Sequence, residues 1–256
     1  MKKKYGGSIE NAVSYLAQAR EEFEILSDSG ARYEQLGKEL EQLDDAIYST
    51  CVSLAKERKR TAEAFCTRVV KELSTLNIAS PQFEIRFGEF SREDVSRATS
   101  EGLGGVVFLF SANAGEPLKE LGKIISGGEM SRFMLAIKTQ LSAVNTIGTY
   151  IFDEIDAGIG GKTARVVGEK FCKIARNVQI IAVSHLAQIA SFADQEYYIE
   201  KQEADGRTFT VIHPVEGDAR IREIARLIGG DTESAAALRH AEELLENASV
   251  YKKSLS

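Results

Sequence analysis

The sequence predicts an α/β fold in which an antiparallel coiled-coil arm over residues 1–78 precedes a lobe over residues 79–256 built on a parallel sheet. Two observations support this prediction. The chain has no proline before Pro81, and its apolar side chains up to that point recur at three- and four-residue steps, the period of a helix buried along one face. Beyond Pro81, short apolar runs alternate with helical patterns, as they do when crossover helices join parallel strands.

The arm is predicted as two helices. The first runs from Ser8 to Leu26, and the segment Ser27–Gly30 is expected to end it because Gly and short polar residues favour turns. A second helix is expected from Ala31 to about Leu76. Its apolar positions are spaced like the seam of a coiled coil: Leu36, Leu40, Leu43, Ile47 and Leu54. A long helix packed inside a bundle remains an alternative, since the seam covers only about three heptads.

The lobe is predicted from short strands and intervening helices. Thr149–Phe152 and Val178–Val183 are apolar runs typical of parallel strands that are covered on both faces. The helix Lys162–Arg176 would join them by a right-handed crossover. Further strands are expected at Phe83–Phe87 and Gly105–Phe110, and a hairpin at Glu196–Lys201 and Thr208–His213; further helices are expected at Gly127–Val144, Asp218–Ile228 and Thr232–Glu246.

Composition excludes several classes of protein. The 256 residues are 43% hydrophobic and 27% charged, which is ordinary for a soluble globular protein. The net charge of −6 gives no overall electrostatic case for nucleic acid, so any contact with DNA is expected to be local. The cysteines form no C-x-x-C pair and the histidines have no metal-ligand spacing, which predicts reduced thiols in a cytoplasmic protein. No apolar run is long enough for a membrane span or follows the start as in a signal peptide.

The run from Ile125 to Arg132 reads Ile-Ser-Gly-Gly-Glu-Met-Ser-Arg. Ser126, Gly127 and Gly128 stand where a helix is predicted to begin. Free backbone N–H groups and the positive end of the helix dipole make such a position an anion site. We expect these three residues to clamp the γ-phosphate of a nucleotide that another subunit holds.

A second group of polar residues follows the predicted parallel strands. Asp153 lies 27 residues after Ser126, at the end of a strand, and is the candidate Mg²⁺ ligand, while Glu154 would act as a base toward water. His185 leaves the next strand and would contact the γ-phosphate. Asp156 begins a glycine-rich loop suited to close approach of another backbone. Taken singly, His185 could be a histidine of the core, and Asp153 and Glu154 could be the acidic start of a helix. In this order, the residues predict one half of an ATP-hydrolysing site of the ABC type.

The other half of such a site is a phosphate-cradling loop of the form G-x-x-x-x-G-K-[ST]. Residues 1–125 contain no such pattern. The segment Gly158–Thr163 ends like one, but Asp156 stands where the pattern needs its first glycine. A loop that faces a partner subunit is therefore the favoured interpretation of this segment.

Several segments together resemble the bacterial RecN family of DNA repair proteins. The matching segments are Phe110–Leu118, Ile125–Arg132, Phe152–Gly161 and Val183–Ala190, with Lys3–Gly6 and Arg222–Gly230 nearer the ends. The resemblance covers nearly the whole chain but only the second half of the family's sequence. It implies the C-terminal lobe of an ABC/SMC-type ATPase head, with a parallel sheet like that of P-loop NTPases, in a family that acts in recombinational repair of DNA double-strand breaks.

The resemblance also implies roles for individual residues. Ser126, Gly127, Gly128 and Glu129 match the signature motif, Asp153 and Glu154 the Walker B pair, and His185 the switch histidine. Asp156 begins the segment that matches the D-loop. The implied ligands are ATP and Mg²⁺. The implied partners are a lobe carrying Walker A or an intact RecN-like subunit, a second head in a head-to-head dimer, and DNA. The resemblance implies no membrane partner and a location in the bacterial cytoplasm, at the nucleoid.

Three hypotheses remain open at this point. In the first, the chain is an ATPase part whose site works only with a Walker A lobe from elsewhere. In the second, it is a non-catalytic module that docks onto an intact head. In the third, it belongs to a different SMC-like or RecF-like repair ATPase, which the Ala157–Gly161 loop and the short arm argue against.

Overall fold

The computed structural model describes residues 7–123, 127–141, 147–204, 207–229 and 234–255. Its α-helices are α1 (Ile9–Thr75), α2 (Gly127–Leu141), α3 (Gly161–Ala175), α4 (Ala187–Ala190), α5 (Gly217–Gly229) and α6 (Ala235–Ser254). Its strands are β1 (Gln82–Phe87), β2 (Val106–Ser111), β3 (Lys119–Glu120), β4 (Thr149–Phe152), β5 (Gln179–Ala182), β6 (Glu196–Ala204) and β7 (Arg207–Val215). Short 3₁₀ helices occupy Arg92–Arg97 and Leu121–Lys123. No helix in these ranges is long and apolar enough to cross a membrane.

The predicted break in the arm is wrong. Helix α1 is continuous over 67 residues and passes through residues 27–30 without interruption. Ser and Gly are weak helix formers, but none of these residues is proline, and only proline both removes a helical N–H and clashes with the preceding turn. The Ser29 hydroxyl instead donates to the carbonyl of Leu26 at 2.8 Å, so this side chain bonds back to its own helix.

The chain divides into two compact units. The first comprises residues 1–60 and 87–106, and the second comprises residues 61–86 and 107–256. Within the first unit, the Tyr48 and Phe90 rings pack edge to face, and Arg92 Nε donates to Asp45 Oδ1 at 2.6 Å. These contacts hold the segment between β1 and β2 against α1. The domain boundary between residues 78 and 79 stays a prediction.

Three small sheets make up the β structure of the described residues. One has the order β1-β2-β3, with β2 and β3 antiparallel. The second is the predicted parallel pair, in which Thr149 of β4 lies opposite Gln179 of β5 and Phe152 opposite Ala182. The third is the predicted antiparallel hairpin of β6 and β7. The strand and helix predictions for the lobe are therefore confirmed in type and order, while α6 continues beyond its predicted end at Glu246.

The main core lies in the second unit and surrounds α2. Phe133 of α2 packs against Phe83 and Phe110, with ring centroids 5.1 and 4.7 Å apart respectively. Glu72, near the end of α1, pairs with the largely buried Lys170 of α3 and accepts a hydrogen bond from Gln140 of α2. The base of α1 is thus fastened to the two helices that flank the predicted site.

One face of the β4–β5 pair is open. The expectation that both faces are covered is wrong for the described residues, because Ile151 is 73% exposed and its cross-strand neighbour Ile181 is also exposed. Tyr150 and Phe152, which point to the other face, are buried. No element of the described residues covers the exposed face.

Candidate functional site

The carboxyl ends of β4 and β5 lie side by side and position the predicted site. The Val183 N–H donates to the carbonyl of Phe152 at 3.0 Å, which continues the parallel pairing by one step. Asp153-Glu154 and Ser184-His185 therefore leave the sheet at the same edge. This is the edge of an open parallel sheet at which ligands usually bind.

Asp153 and Glu154 form a tight turn directly after β4. The Glu154 N–H donates to Asp153 Oδ1 at 2.9 Å, and the Ala157 N–H donates to the Glu154 carbonyl at 3.1 Å. Glu154 has a positive φ of 54°, in the left-handed region that residues other than Gly seldom adopt. Such conformations concentrate at functional sites, where the surrounding structure enforces them.

The Asp156 carboxylate joins the two loops. It is almost fully buried, with 4% of its side chain exposed, and its Oδ2 accepts hydrogen bonds from Ser184 Oγ at 2.7 Å and from the His185 N–H at 2.8 Å. His185 Nδ1 lies 3.0 Å from the same oxygen, while 74% of the His185 side chain is exposed. Asp156 thus fixes where the His185 ring stands and leaves most of the ring accessible.

The beginning of α2 abuts the turn that carries Glu154. Ser126 lies outside the described residues, so the structure places Gly127, Gly128 and Glu129 of the predicted signature motif. A side chain at Gly127 would collide with Glu154 Oε2, and a Cβ at Gly128 would lie 2.9 Å from the Cβ of Ala157. At Gly128 a side chain would force Ala157 to shift, whereas at Gly127 it would displace the Glu154 carboxylate from its present position. Glu129 is the acidic residue of the first turn of α2.

Two residues that the sequence analysis did not single out connect α2 to this turn. Ser131 Oγ donates to the carbonyl of Asp153 at 2.8 Å, and Arg132 Nη1 donates to the carbonyl of Ala157 at 2.7 Å. Arg132 is buried, and the loss of hydration lowers the pKa of its guanidinium, while nearby Glu129 acts in the opposite direction. Their acceptors are backbone carbonyls more than 20 residues away, which no local pattern reveals.

The structure therefore brings together the described members of the predicted site. Asp153, Glu154, Asp156 and His185 share one sheet edge, and Gly127 and Gly128 stand beside Glu154. The orientation of Asp156 adds to the sequence interpretation, because its carboxylate points inward to Ser184 and His185. Its assignment as a nucleotide-binding residue, like the other site assignments, stays a prediction.

Comparison with known proteins finds relatives named DNA repair protein RecN. The chain is 42% identical over 246 residues to the DNA repair protein RecN of Treponema pallidum, which covers 96% of this chain and 43% of the relative. It is 34% identical over 262 residues to the DNA repair protein RecN of Bacillus subtilis, covering 98% of this chain and 46% of that relative. The protein of the same name from Deinococcus radiodurans is 38% identical over 245 residues, covering 96% and 42%. No family model matches the chain.

Solved structures give more distant matches. An Smc head domain with a coiled coil and joint from Pyrococcus yayanosii is 20% identical with a TM-score of 0.45, covering 95% of this chain and 40% of that one. An Smc head bound to the C-winged helix domain of ScpA is 22% identical with a TM-score of 0.40, covering 62% and 44%. Both TM-scores are low, and these matches carry no argument about function.

The relatives align with nearly every residue of this chain, and the chain spans less than half of their length. The sequence segments that carry the predicted site fall within these alignments. The chain belongs to the RecN family of bacterial DNA repair proteins and corresponds to the C-terminal part of its members.

Proposed function

We propose that this chain supplies one half of a composite ATP-hydrolysing site and that a lobe carrying Walker A supplies the other half. The observation that carries the proposal is the convergence of three separate segments at one sheet edge. Glu154 follows β4, His185 follows β5 and is held by Asp156, and the start of α2 lies against Glu154. Glu154 can act as a base toward water and His185 can contact a phosphate on this chain's side of the site, while the helix N-terminus beside them can bind the phosphate of a nucleotide held by a second head.

Each residue then has a defined task. Glu154 orients or deprotonates the attacking water. General-base catalysis of this kind raises the rate by a factor of about 10²–10⁴. His185 contacts the γ-phosphate, and its ring is steadied from behind by the buried Asp156 carboxylate. Ser126, Gly127 and Gly128 clamp the γ-phosphate of a nucleotide held by a second head. Head-to-head pairing is therefore part of the proposal.

The donor set fits Mg²⁺ bound together with ATP. Among the described residues no three His, Cys, Asp or Glu side chains gather as a metal cage. Asp153 offers one carboxylate, which suits a cation that keeps several water molecules and takes oxygens from bound phosphates. When bound, Mg²⁺ would neutralise the charge that develops on the transferred phosphoryl group.

The partner lobe would cover the open face of the β4–β5 pair. Ile151 and Ile181 leave an apolar surface on a sheet that has two strands within the described residues, and parallel sheets are normally covered on both faces. The relatives have more than twice the length that this chain spans, which leaves room for such a lobe in the whole protein. By the relatives' name, the completed protein would act in DNA repair. We further propose that it acts on double-strand breaks, in the bacterial cytoplasm at the nucleoid.

ATP turnover with and without a Walker A lobe tests the proposal. The isolated chain should show negligible hydrolysis, since positioning of the β- and γ-phosphates is nearly all of this catalysis. Adding the lobe should produce turnover that Glu154→Gln and His185→Ala both remove. His240→Ala, which changes an exposed histidine on α6, is the matched control and should be active.

Two results would contradict the proposal. Turnover by the isolated chain that Glu154→Gln abolishes would mean that Gly158–Thr163 binds phosphate after all. A mixture in which the lobe binds but ATP is not hydrolysed would favour the non-catalytic docking module.

A further inference from the structure

The turn that carries Glu154 is held at both ends by consecutive residues of α2. Ser131 Oγ donates to the carbonyl of Asp153 at the start of the turn, at 2.8 Å. Arg132 Nη1 donates to the carbonyl of Ala157 at its end, at 2.7 Å. The two bonds bracket Glu154, so the position of its carboxylate depends on α2 as well as on β4.

The turn needs such support because its backbone conformation is unfavourable. Glu154 adopts a φ of 54°, and a left-handed non-Gly residue persists only where surrounding contacts enforce it. Within the turn itself, the Glu154 N–H to Asp153 Oδ1 and Ala157 N–H to Glu154 carbonyl bonds are local. The bonds from Ser131 and Arg132 connect it to a rigid helix.

Arg132 is suited to this task by its burial. The residue is 6% exposed, and its Nε has no hydrogen-bond partner among the described residues. Burying a guanidinium costs free energy unless its N–H groups are hydrogen-bonded. The bond from Arg132 Nη1 to the Ala157 carbonyl is therefore not easily exchanged for another. Gly128 allows the approach, because its missing side chain leaves room for both Ala157 and Arg132 Nη1.

We propose that Ser131 and Arg132 are positioning residues that set the place of Glu154 through the carbonyls of Asp153 and Ala157. The proposal rests on the proposed function for its consequence, since α2 begins at Gly127 of the predicted signature motif. In the proposed head-to-head dimer, α2 would thereby link the nucleotide of the second head, clamped at its start, to the Glu154 that serves this chain's own half of the site. Neither Ser131 nor Arg132 is required to touch the nucleotide.

Hydrogen–deuterium exchange on the isolated full chain tests the positioning directly, without ATP. Arg132→Met keeps the side-chain length but removes the donor, Arg132→Lys keeps one donor, and Ser131→Ala removes the other bond. Amides of residues 154–157 should exchange about tenfold faster in Arg132→Met and Ser131→Ala, and less so in Arg132→Lys, while β4 and α3 amides stay unchanged. Arg165→Met, which changes an exposed arginine paired with Glu169, is the control.

Steady-state kinetics of the head completed with a Walker A lobe test the consequence. A misplaced general base should lower kcat about tenfold to a hundredfold in Arg132→Met while the KM for ATP stays unchanged, and Arg132→Lys should recover part of the loss. Unchanged exchange at residues 154–157 in both Ser131→Ala and Arg132→Met would overturn the positioning role. A different result is also possible: the Ser131 and Arg132 variants exchange faster at residues 154–157, but the wild-type completed head does not hydrolyse ATP. That result would support the positioning role and would contradict only the proposed function.

Discussion

At the residue scale, the Asp156 carboxylate is central to the sheet edge. Its Oδ2 accepts hydrogen bonds from the Ser184 hydroxyl and the His185 backbone N–H, and His185 Nδ1 lies 3.0 Å from the same oxygen. The carboxylate is buried and its two donors are partly buried, so removing it would leave both donors without their acceptor, at a cost in stability. Asp156 is therefore expected to contribute to folding as well as to the placement of His185.

Replacing Asp156 tests this dual role in the isolated chain. Asp156→Ala leaves the Ser184 hydroxyl and the His185 N–H without their acceptor and should lower the free energy of unfolding by about 2 kcal/mol. Asp156→Asn retains a carbonyl oxygen and should cost less than the alanine substitution. Urea denaturation measures both values. Equal stability of the wild type and the Ala variant would show that water replaces the carboxylate and that it does not organise the loops.

The sequence was sufficient to place Asp153, Glu154 and His185 at one sheet edge, because residues that follow neighbouring parallel strands leave the sheet on the same side. It was not sufficient to find the partner of Asp156. Ser184 and His185 lie 28 and 29 residues further along the chain, and only the parallel register of β4 and β5 brings them to it. Ser131 and Arg132 escaped notice for the same reason, since both bind backbone carbonyls that carry no residue-specific signal.

At the element scale, the continuity of α1 is the clearest difference from expectation. Ser27–Gly30 has the composition of a turn, yet the helix passes through it. Turn propensity is a weak preference that neighbouring helical segments override when no proline intervenes. The lobe strands were predicted more accurately because their apolar runs are short and clearly bounded.

Gly30→Ala tests the continuity of α1. No atom lies within 4 Å of the position that a Cβ would take, so the added methyl meets no obstacle. In a continuous helix the substitution should stabilise by roughly 0.5–1 kcal/mol, because alanine loses less backbone entropy than glycine. Circular dichroism during thermal unfolding reports the change.

Gly104→Ala provides the opposite control for that experiment. Gly104 has a φ of 78°, and its Cβ would lie 2.7 Å from the Gly88 carbonyl oxygen, so the substitution should destabilise. A Gly30→Ala variant that is also less stable would indicate that residues 27–30 form a turn, as the sequence pattern predicted.

At the scale of the whole molecule, the exposed apolar face of β4 and β5 distinguishes this chain from a self-sufficient parallel α/β domain. The face opposite Tyr150 and Phe152 carries Ile151 and Ile181, both exposed. Sequence patterning predicted a strand covered on both sides because Tyr150, Ile151 and Phe152 form a short hydrophobic run after Thr149. We propose that both faces of the strand are covered in the completed protein. The structure shows that this chain itself covers the face that carries Tyr150 and Phe152.

Ile151→Asp tests whether this face contributes to the stability of the chain or to binding of the Walker A lobe. Because the side chain is already exposed, the isolated chain should lose no more than about 0.5 kcal/mol of stability. Binding of the Walker A lobe, measured by calorimetry, should weaken markedly, since a charge would be buried in an apolar contact. Val250→Asp, at an exposed valine of α6, should leave binding unchanged. Wild-type affinity in Ile151→Asp would mean that the lobe docks elsewhere.

ATP-driven association of the completed head tests the central claim most directly. Sedimentation velocity with ATP should show a stable dimer for Glu154→Gln, because the amide keeps the shape of the site, removes repulsion toward the phosphates and stops the hydrolysis that would separate the heads. Ser126→Arg should remain monomeric with ATP, because a bulky side chain would fill the space of the γ-phosphate held by the second head. If both variants dimerise equally with ATP, the segment that opens α2 does not clamp a partner's nucleotide, and the composite site proposed here is wrong.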